Sequence, residues 1–188
     1  PALIFVFTAN GLPLEVITHL AIGTSLATIV VTSIASTYTH HQKGSVLWGL
    51  TRWLIPGLLL GSIFGGLLAA SLPGSTLQLI LGTLMIIVAV QLLVRQYTGS
   101  IKTPGKFRLY TGGIFIGTVS SLLGIGGGTL TTPFLTSFGI KIRQAVATSA
   151  GCGLPIALAG SATYFFSGLS SELVPQGSLG YIFFPAWL

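Results

Sequence analysis

The chain has 188 residues, half of them hydrophobic, and only ten carry a formal charge, eight basic and two acidic. A soluble domain has about a quarter of its residues charged, so ten charges cannot clothe a water-soluble globule of this length, whereas a lipid-facing surface needs no such cover and fits the mean hydropathy of +0.91. The net charge of +6 is spread over short loops rather than gathered on one face, which argues against nucleic acid and for basic loops on the cytoplasmic side of a membrane, and the one cysteine, Cys152, excludes a disulfide framework.

Taken in chain order, residues 1–9 read as the tail of a membrane helix and residues 10–18 as a loop holding Glu15. Residues 19–38 form an apolar helix rich in Ser and Thr. Residues 39–46 are a polar loop with His40, His41 and Lys43, and residues 48–70 span again. A Pro-Gly turn at 72–76 makes its flanking helices antiparallel neighbours, and 77–94 is the cleanest span. Residues 95–108 are the longest polar loop, with four basic residues. Residues 109–138 are apolar but broken by Gly124-Ile125-Gly126-Gly127-Gly128. A short basic loop follows at 139–144, then a span at 145–167, then a polar loop at 168–180 with Glu172 and Pro175. A final helix is expected from Tyr181. Both ends of the sequence fall inside apolar runs, and truncation is expected at each, with no signal peptide visible. The fold class is therefore an all-α polytopic membrane protein.

Gly57, Gly61 and Gly65 lie four apart on one helix face, and Gly113 and Gly117 repeat the pattern. Such stripes let backbones approach closely. Tight packing within the chain is the favoured reading, with a homo-oligomer through Gly57, Gly61 and Gly65 as the alternative. Trp48, Trp53 and Trp187 mark interfaces, Arg52 snorkels to one of them, and Gln78 and Gln91 suit helix–helix hydrogen bonds. His40, His41 and Lys43 have no acid or cysteine near them, so a solvated loop is favoured over a metal or pH site. His19 stands four residues from Glu15. An interfacial contact is favoured there over a proton-coupling pair.

The strongest internal signal is a duplication. Ala21-Ile22-Gly23-Thr24-Ser25 and Ala145-Val146-Ala147-Thr148-Ser149 each open an apolar helix, and aligning them pairs Gly44 with Gly168. The reading divides the chain into a first repeat at 1–95 with its N-terminal part missing, a basic connector at 96–108, and a second repeat at 109–188 with its C-terminal part missing. If 109–138 crosses the membrane once, Lys141 and Arg143 lie opposite the other six basic residues. If the glycine break folds it into a re-entrant hairpin, all eight share one side, and Glu15 and Glu172 share the other. The positive-inside tendency favours the hairpin, which makes the repeats inverted.

Four glycines in five residues cannot make a good helix interior, since each costs about 1 kcal/mol relative to alanine. In lipid such backbone is tolerated only where it is buried or lines a wet cavity. A helix restarting after Gly128 sets free N–H groups, the Thr129 hydroxyl and the positive end of a helix dipole at one spot, which suits an anion. Thr148 and Ser149 can add hydroxyl donors, with Thr24 and Ser25 as the pseudo-symmetric pair. The candidate substrate-binding set is thus Gly126, Gly127, Gly128, Thr129, Thr148, Ser149, Thr24 and Ser25. The plainer reading has the glycines serving packing only and the hydroxyls bonding their own helix. No Gly-Lys-Ser/Thr follows the break and no strand pattern precedes it, so neither a nucleotide loop nor a dinucleotide fingerprint is present. With two glutamates outside the core and no aspartate, there is no catalytic or metal-ligating set and no cofactor motif. A secondary transporter of small anions therefore leads over a structural membrane subunit or an intramembrane enzyme.

Residues 117–121, the break at 124–128, Pro133, and 145–149 with Pro155 resemble the second repeat of the sulfite exporter TauE/SafE family. Residues 21–25, followed by His40-His41 and Gly44, resemble the end of its first repeat. The resemblance covers nearly the whole chain. It implies a multi-pass permease of the plasma membrane (the inner membrane of a Gram-negative cell) for small anions such as sulfite, sulfonates or other organic anions.

Overall fold

The computed structural model describes residues 2–9, 11, 14–94, 104–169, 175 and 177–183. The elements in order are α1 (Ala2–Ala9), α2 (Leu14–Gln42), α3 (Trp48–Ala70), α4 (Gly74–Val94), α5 (Lys106–Leu123), α6 (Gly128–Thr136) and α7 (Ile142–Leu169), followed by a two-stranded antiparallel hairpin of β1 (Ser178–Leu179) and β2 (Ile182–Phe183). The fold is thus that of an all-α membrane protein with one small hairpin. Among the described residues, α2, α3 and α7 are long and apolar enough to cross a membrane unaided.

Several boundaries differ from those read in the sequence. α2 starts at Leu14, within the expected loop at 10–18, because Val16, Ile17 and Leu20 are buried and their packing outweighs the polarity of Glu15 and Thr18. α2 also continues through His40 and His41, which sit in its last turn rather than in a loop. Gly44, with φ +59°, ends it, and its N–H returns to the His41 carbonyl at 2.9 Å. Of the expected loop at 95–108, residues 95–103 lie outside the described residues, and Lys106 and Arg108 belong to the first turn of α5. Where a helix is expected from Tyr181, residues 181–183 belong to the hairpin instead, and 184–188 lie outside the described residues. Gly180 turns the chain with φ +58°, and the apolar run Tyr181-Ile182-Phe183 suits a strand as well as a helix.

Contacts fix the helix directions. α2 and α7 are antiparallel: the Thr37 hydroxyl donates to Ala150 O at 3.0 Å, while further along Leu26 lies against Gly160 and Gly23 against Tyr164. α3 and α5 are parallel. Cβ positions on Gly57, Gly61 and Gly65 would run into the backbone of Tyr110, Ile114 and Thr118 in that order, and Gly113 and Gly117 face Leu54 and Leu58 in return. The glycine stripe of α3 is therefore occupied by α5 of the same chain, as tight packing requires. α7 runs parallel to both, since Thr148 meets Leu47 at one end and Thr163 meets Gly66 at the other. The opposite face of α3 exposes Leu59, Leu60, Ile63, Phe64 and Leu67, an apolar surface matched to lipid.

This parallel set puts Lys43, Arg52, Lys106, Arg108, Lys141 and Arg143 at one end of the bundle, where α3, α5 and α7 begin. After α5 the chain turns back. α6 runs beside α5, and the ring of Phe134 rests against Gly112. Two groups of buried side chains fill the interior, one around Leu20, Leu26, Leu122 and Tyr164, the other around Leu54, Leu58, Leu135 and Ile156.

Candidate functional site

The glycine break lies between α2 and α7. Gly124 closes α5 in the left-handed conformation, φ +63°, where a side chain would be strained. Its N–H and that of Ile125 both return to the Ser120 carbonyl. The Ser25 hydroxyl donates to Gly124 O at 2.9 Å and ties the turn to α2. A Cβ on Gly126 would meet Ile29 at 3.3 Å, and one on Gly127 would meet the Gly153 nitrogen at 3.1 Å and the Cys152 carbonyl carbon at 3.2 Å. Gly127 is thus pressed on the backbone of α7. Gly128, the first residue of α6, is different: it is exposed, and the nearest atom to an added Cβ is Ser149 Oγ at 3.9 Å.

No side chain caps α6, so its first N–H groups have no intrahelical partner and the positive end of its dipole lies at Gly128. Ser149 stands beside it. The Ser149 hydroxyl accepts from Thr132 Oγ1 at 2.9 Å and donates to Val146 O at 2.8 Å. Thr129 is half-buried in the first turn of α6. The structure therefore brings together Gly126, Gly127, Gly128, Thr129 and Ser149, with Ser25 on the far side of the turn.

Thr148 and Thr24 are engaged elsewhere. Both are fully buried. Thr148 Oγ1 accepts the Leu47 N–H at 3.0 Å, just before α3, and Thr24 Oγ1 accepts the Phe183 N–H at 2.9 Å, at the end of β2. Thr148 on α7 thus holds the segment that follows α2, and Thr24 on α2 holds the segment that follows α7.

Three hydroxyls absent from the sequence-derived set stand out. Ser120, Ser121 and Thr131 are buried, and their oxygens have no hydrogen-bond partner. They flank the break, two at the end of α5 and one in α6. A buried hydroxyl left unpaired costs about 1–3 kcal/mol; Ser121 Oγ faces Gly66 of α3 and Gly160 of α7.

Elsewhere, His19 is 5% exposed. Its Nε2 lies 3.0 Å from Ala69 O, and its ring stacks on Tyr181 at 5.1 Å. The side chain of Glu15 lies outside the described residues, as do Glu172, Trp187 and the side chain of Gln91. Gln78 joins helices as expected, donating to Thr18 Oγ1 at 2.9 Å. The Trp48 indole donates to His41 Nδ1 at 3.1 Å. Among the described residues no group of three His, Cys, Asp or Glu could hold a metal ion.

Comparison with known proteins agrees with this architecture. The family model described as sulfite exporter TauE/SafE matches residues 1–188. A probable membrane transporter protein of Haemophilus influenzae is 36% identical over 190 residues, covering all of this chain and 72% of that protein. The probable membrane transporter protein YdhB of Bacillus subtilis is 24% identical, over 87% of this chain and 70% of its own length. The probable membrane transporter protein MJ0441 of Methanocaldococcus jannaschii is 26% identical, over 98% of this chain and 68% of its own. No solved structure matches the chain. The chain belongs to the sulfite exporter TauE/SafE family: it is a multi-pass membrane transporter, not an enzyme.

Proposed function

We propose that this chain is a secondary transporter for small anions, with sulfite, sulfonates and other organic anions as the class, and that the anion binds at the start of α6. The observation that carries this reading is the uncapped helix start at Gly128, open beside the Ser149 hydroxyl and set in the middle of the bundle between α2 and α7. Gly126, Gly127, Gly128 and Thr129 offer backbone N–H groups and one hydroxyl, and Ser149 and Ser25 complete the lining. Thr24 and Thr148 shape the site by fixing the segments around it. Membership of a family described as sulfite exporters supports the anionic substrate. No ATP-binding loop occurs in the sequence, so an ion or proton gradient, or the substrate's own gradient, drives transport.

The same reading makes α5, the break and α6 a re-entrant hairpin within two inverted repeats, residues 1–95 and 109–188 joined by 96–108. Two facts support it. The helices that begin at Trp48, Lys106 and Ile142 all run the same way, which supports a return of the chain after Gly124 to the side that α5 left. The crossed bonds Thr148–Leu47 and Thr24–Phe183 are what a two-fold exchange of α2 and α7 produces. The deciding experiment is uptake and efflux of labelled sulfite, sulfonates and carboxylates by vesicles bearing the full-length protein. Movement of none of these above protein-free vesicles would overturn the reading.

A further inference from the structure

At the basic end of the bundle, two cations share one aromatic ring. Lys106 Nζ lies 4.7 Å from the centre of the Trp53 ring, and Arg52 Cζ lies 5.7 Å from it. The two charges are on different helices, α3 and α5, locked side by side by their glycine seam. Their separation is no more than the two distances combined, well inside the range where like charges repel at low ionic strength. Each lies in the first turns of its helix, where the dipole adds further positive potential. The indole face offsets part of this cost. Nothing else in the described chain does. Neither α3 nor α5 has an acidic residue in its first turn. The sequence holds only Glu15 and Glu172. Glu15 lies in the first turn of α2, at the opposite end of the bundle, and Glu172 lies outside the described residues.

The surroundings identify the missing counter-charge. Trp53 is 37% exposed and Trp48 is 45% exposed, both at the start of α3, where indoles sit at headgroup level. Phe107, next to Lys106, is 78% exposed, and Phe115, two turns deeper on α5, is 67% exposed. The cluster is therefore a cationic rim above an apolar face turned to lipid. We propose that Arg52, Lys106 and Trp53 bind the phosphate of an anionic phospholipid, whose acyl chains lie along the Phe107 and Phe115 face of α5. The two cations hold the phosphate, and the indole keeps them on one spot. The site is separate from the glycine break and does not depend on what the break binds.

The test uses the full-length protein in detergent, with phosphatidylglycerol, phosphatidylcholine or inorganic phosphate added. Retained lipid is counted by native mass spectrometry, and the thermal unfolding midpoint is read in parallel. We expect phosphatidylglycerol to be retained several-fold better than phosphatidylcholine and to raise the midpoint. The double variant Arg52→Gln/Lys106→Gln should lose most of that preference. The control Lys141→Gln/Arg143→Gln, which removes two exposed cations at the start of α7 rather than the two over the Trp53 ring, should keep it. Equal retention of the two lipids, or an equal loss in both double variants, would overturn a defined site and leave only general attraction to negative surfaces. Full displacement by inorganic phosphate at matched concentration would overturn the lipid as the source of the phosphate.

Discussion

The hydroxyl of Thr148 accepts the backbone N–H of Leu47 at 3.0 Å across 101 residues of sequence. Leu47 directly precedes α3 and no side chain of its own caps that helix, so Thr148 satisfies a donor that would otherwise be lost where α3 leaves the turn. Thr24 does the same for Phe183 across 159 residues. The two Thr-Ser pairs are thus first a device that pins a connecting segment to each of α2 and α7.

Thr148→Val keeps the shape and removes the acceptor. It leaves the Leu47 N–H unpaired beside a fully buried side chain, which should cost about 1–3 kcal/mol. A lower thermal midpoint in detergent is the expected result, with Thr148→Ser close to wild type. If Thr148→Val unfolds at the wild-type temperature, the bond contributes nothing to holding α3.

The α3–α5 seam makes a second prediction. A Cβ at Gly61 falls on the Ile114 carbonyl, and backbone cannot step aside as a side chain can. Gly61→Ala should therefore lower stability and the amount of protein in the membrane. Gly82→Ala on α4, with nothing within 4 Å, should be neutral or gain up to about 1 kcal/mol from helix propensity. Equal behaviour of the two would mean that α3 and α5 do not touch as described.

Topology gives a third. Lys43 and Lys141 lie at the same end of the bundle, so cysteines placed there should be labelled by an impermeant thiol reagent from the cytoplasmic face. Lys102→Cys should behave alike, while Glu15→Cys and Glu172→Cys should be labelled from outside. The native Cys152 is buried and should stay silent. Labelling of Lys141→Cys from the outer face alone would reject the re-entrant hairpin while leaving transport untouched.

Much of the helical scaffold was legible in the sequence because hydropathy is a local property. α3 matched at both ends because a polar loop precedes it and a Pro-Gly turn follows. The break at Gly124 was legible for a similar reason, since four glycines defeat a helix whatever surrounds them. What the sequence hid was non-local. The partners of Thr24 and Thr148 lie too far along the chain for any spacing rule to find. The hairpin at Tyr181 was misread because a short apolar run has no period that separates strand from helix. Ser120, Ser121 and Thr131 look like ordinary helix hydroxyls until burial shows that their oxygens are unpaired.

The measurement that bears most directly on the anion site is transport by Gly128→Leu at matched protein level in the membrane. Gly127→Leu is a poor test, because its side chain would strike the backbone of Gly153 and Cys152 and disturb α7 itself. At Gly128 an added Cβ meets nothing nearer than Ser149 Oγ at 3.9 Å, so a side chain is far better accommodated there, at the first residue of α6, than at Gly127. The prediction is an unchanged thermal midpoint with labelled-anion transport reduced to the level of protein-free vesicles. Normal transport by stably folded Gly128→Leu would contradict the account and leave the glycine break a packing element.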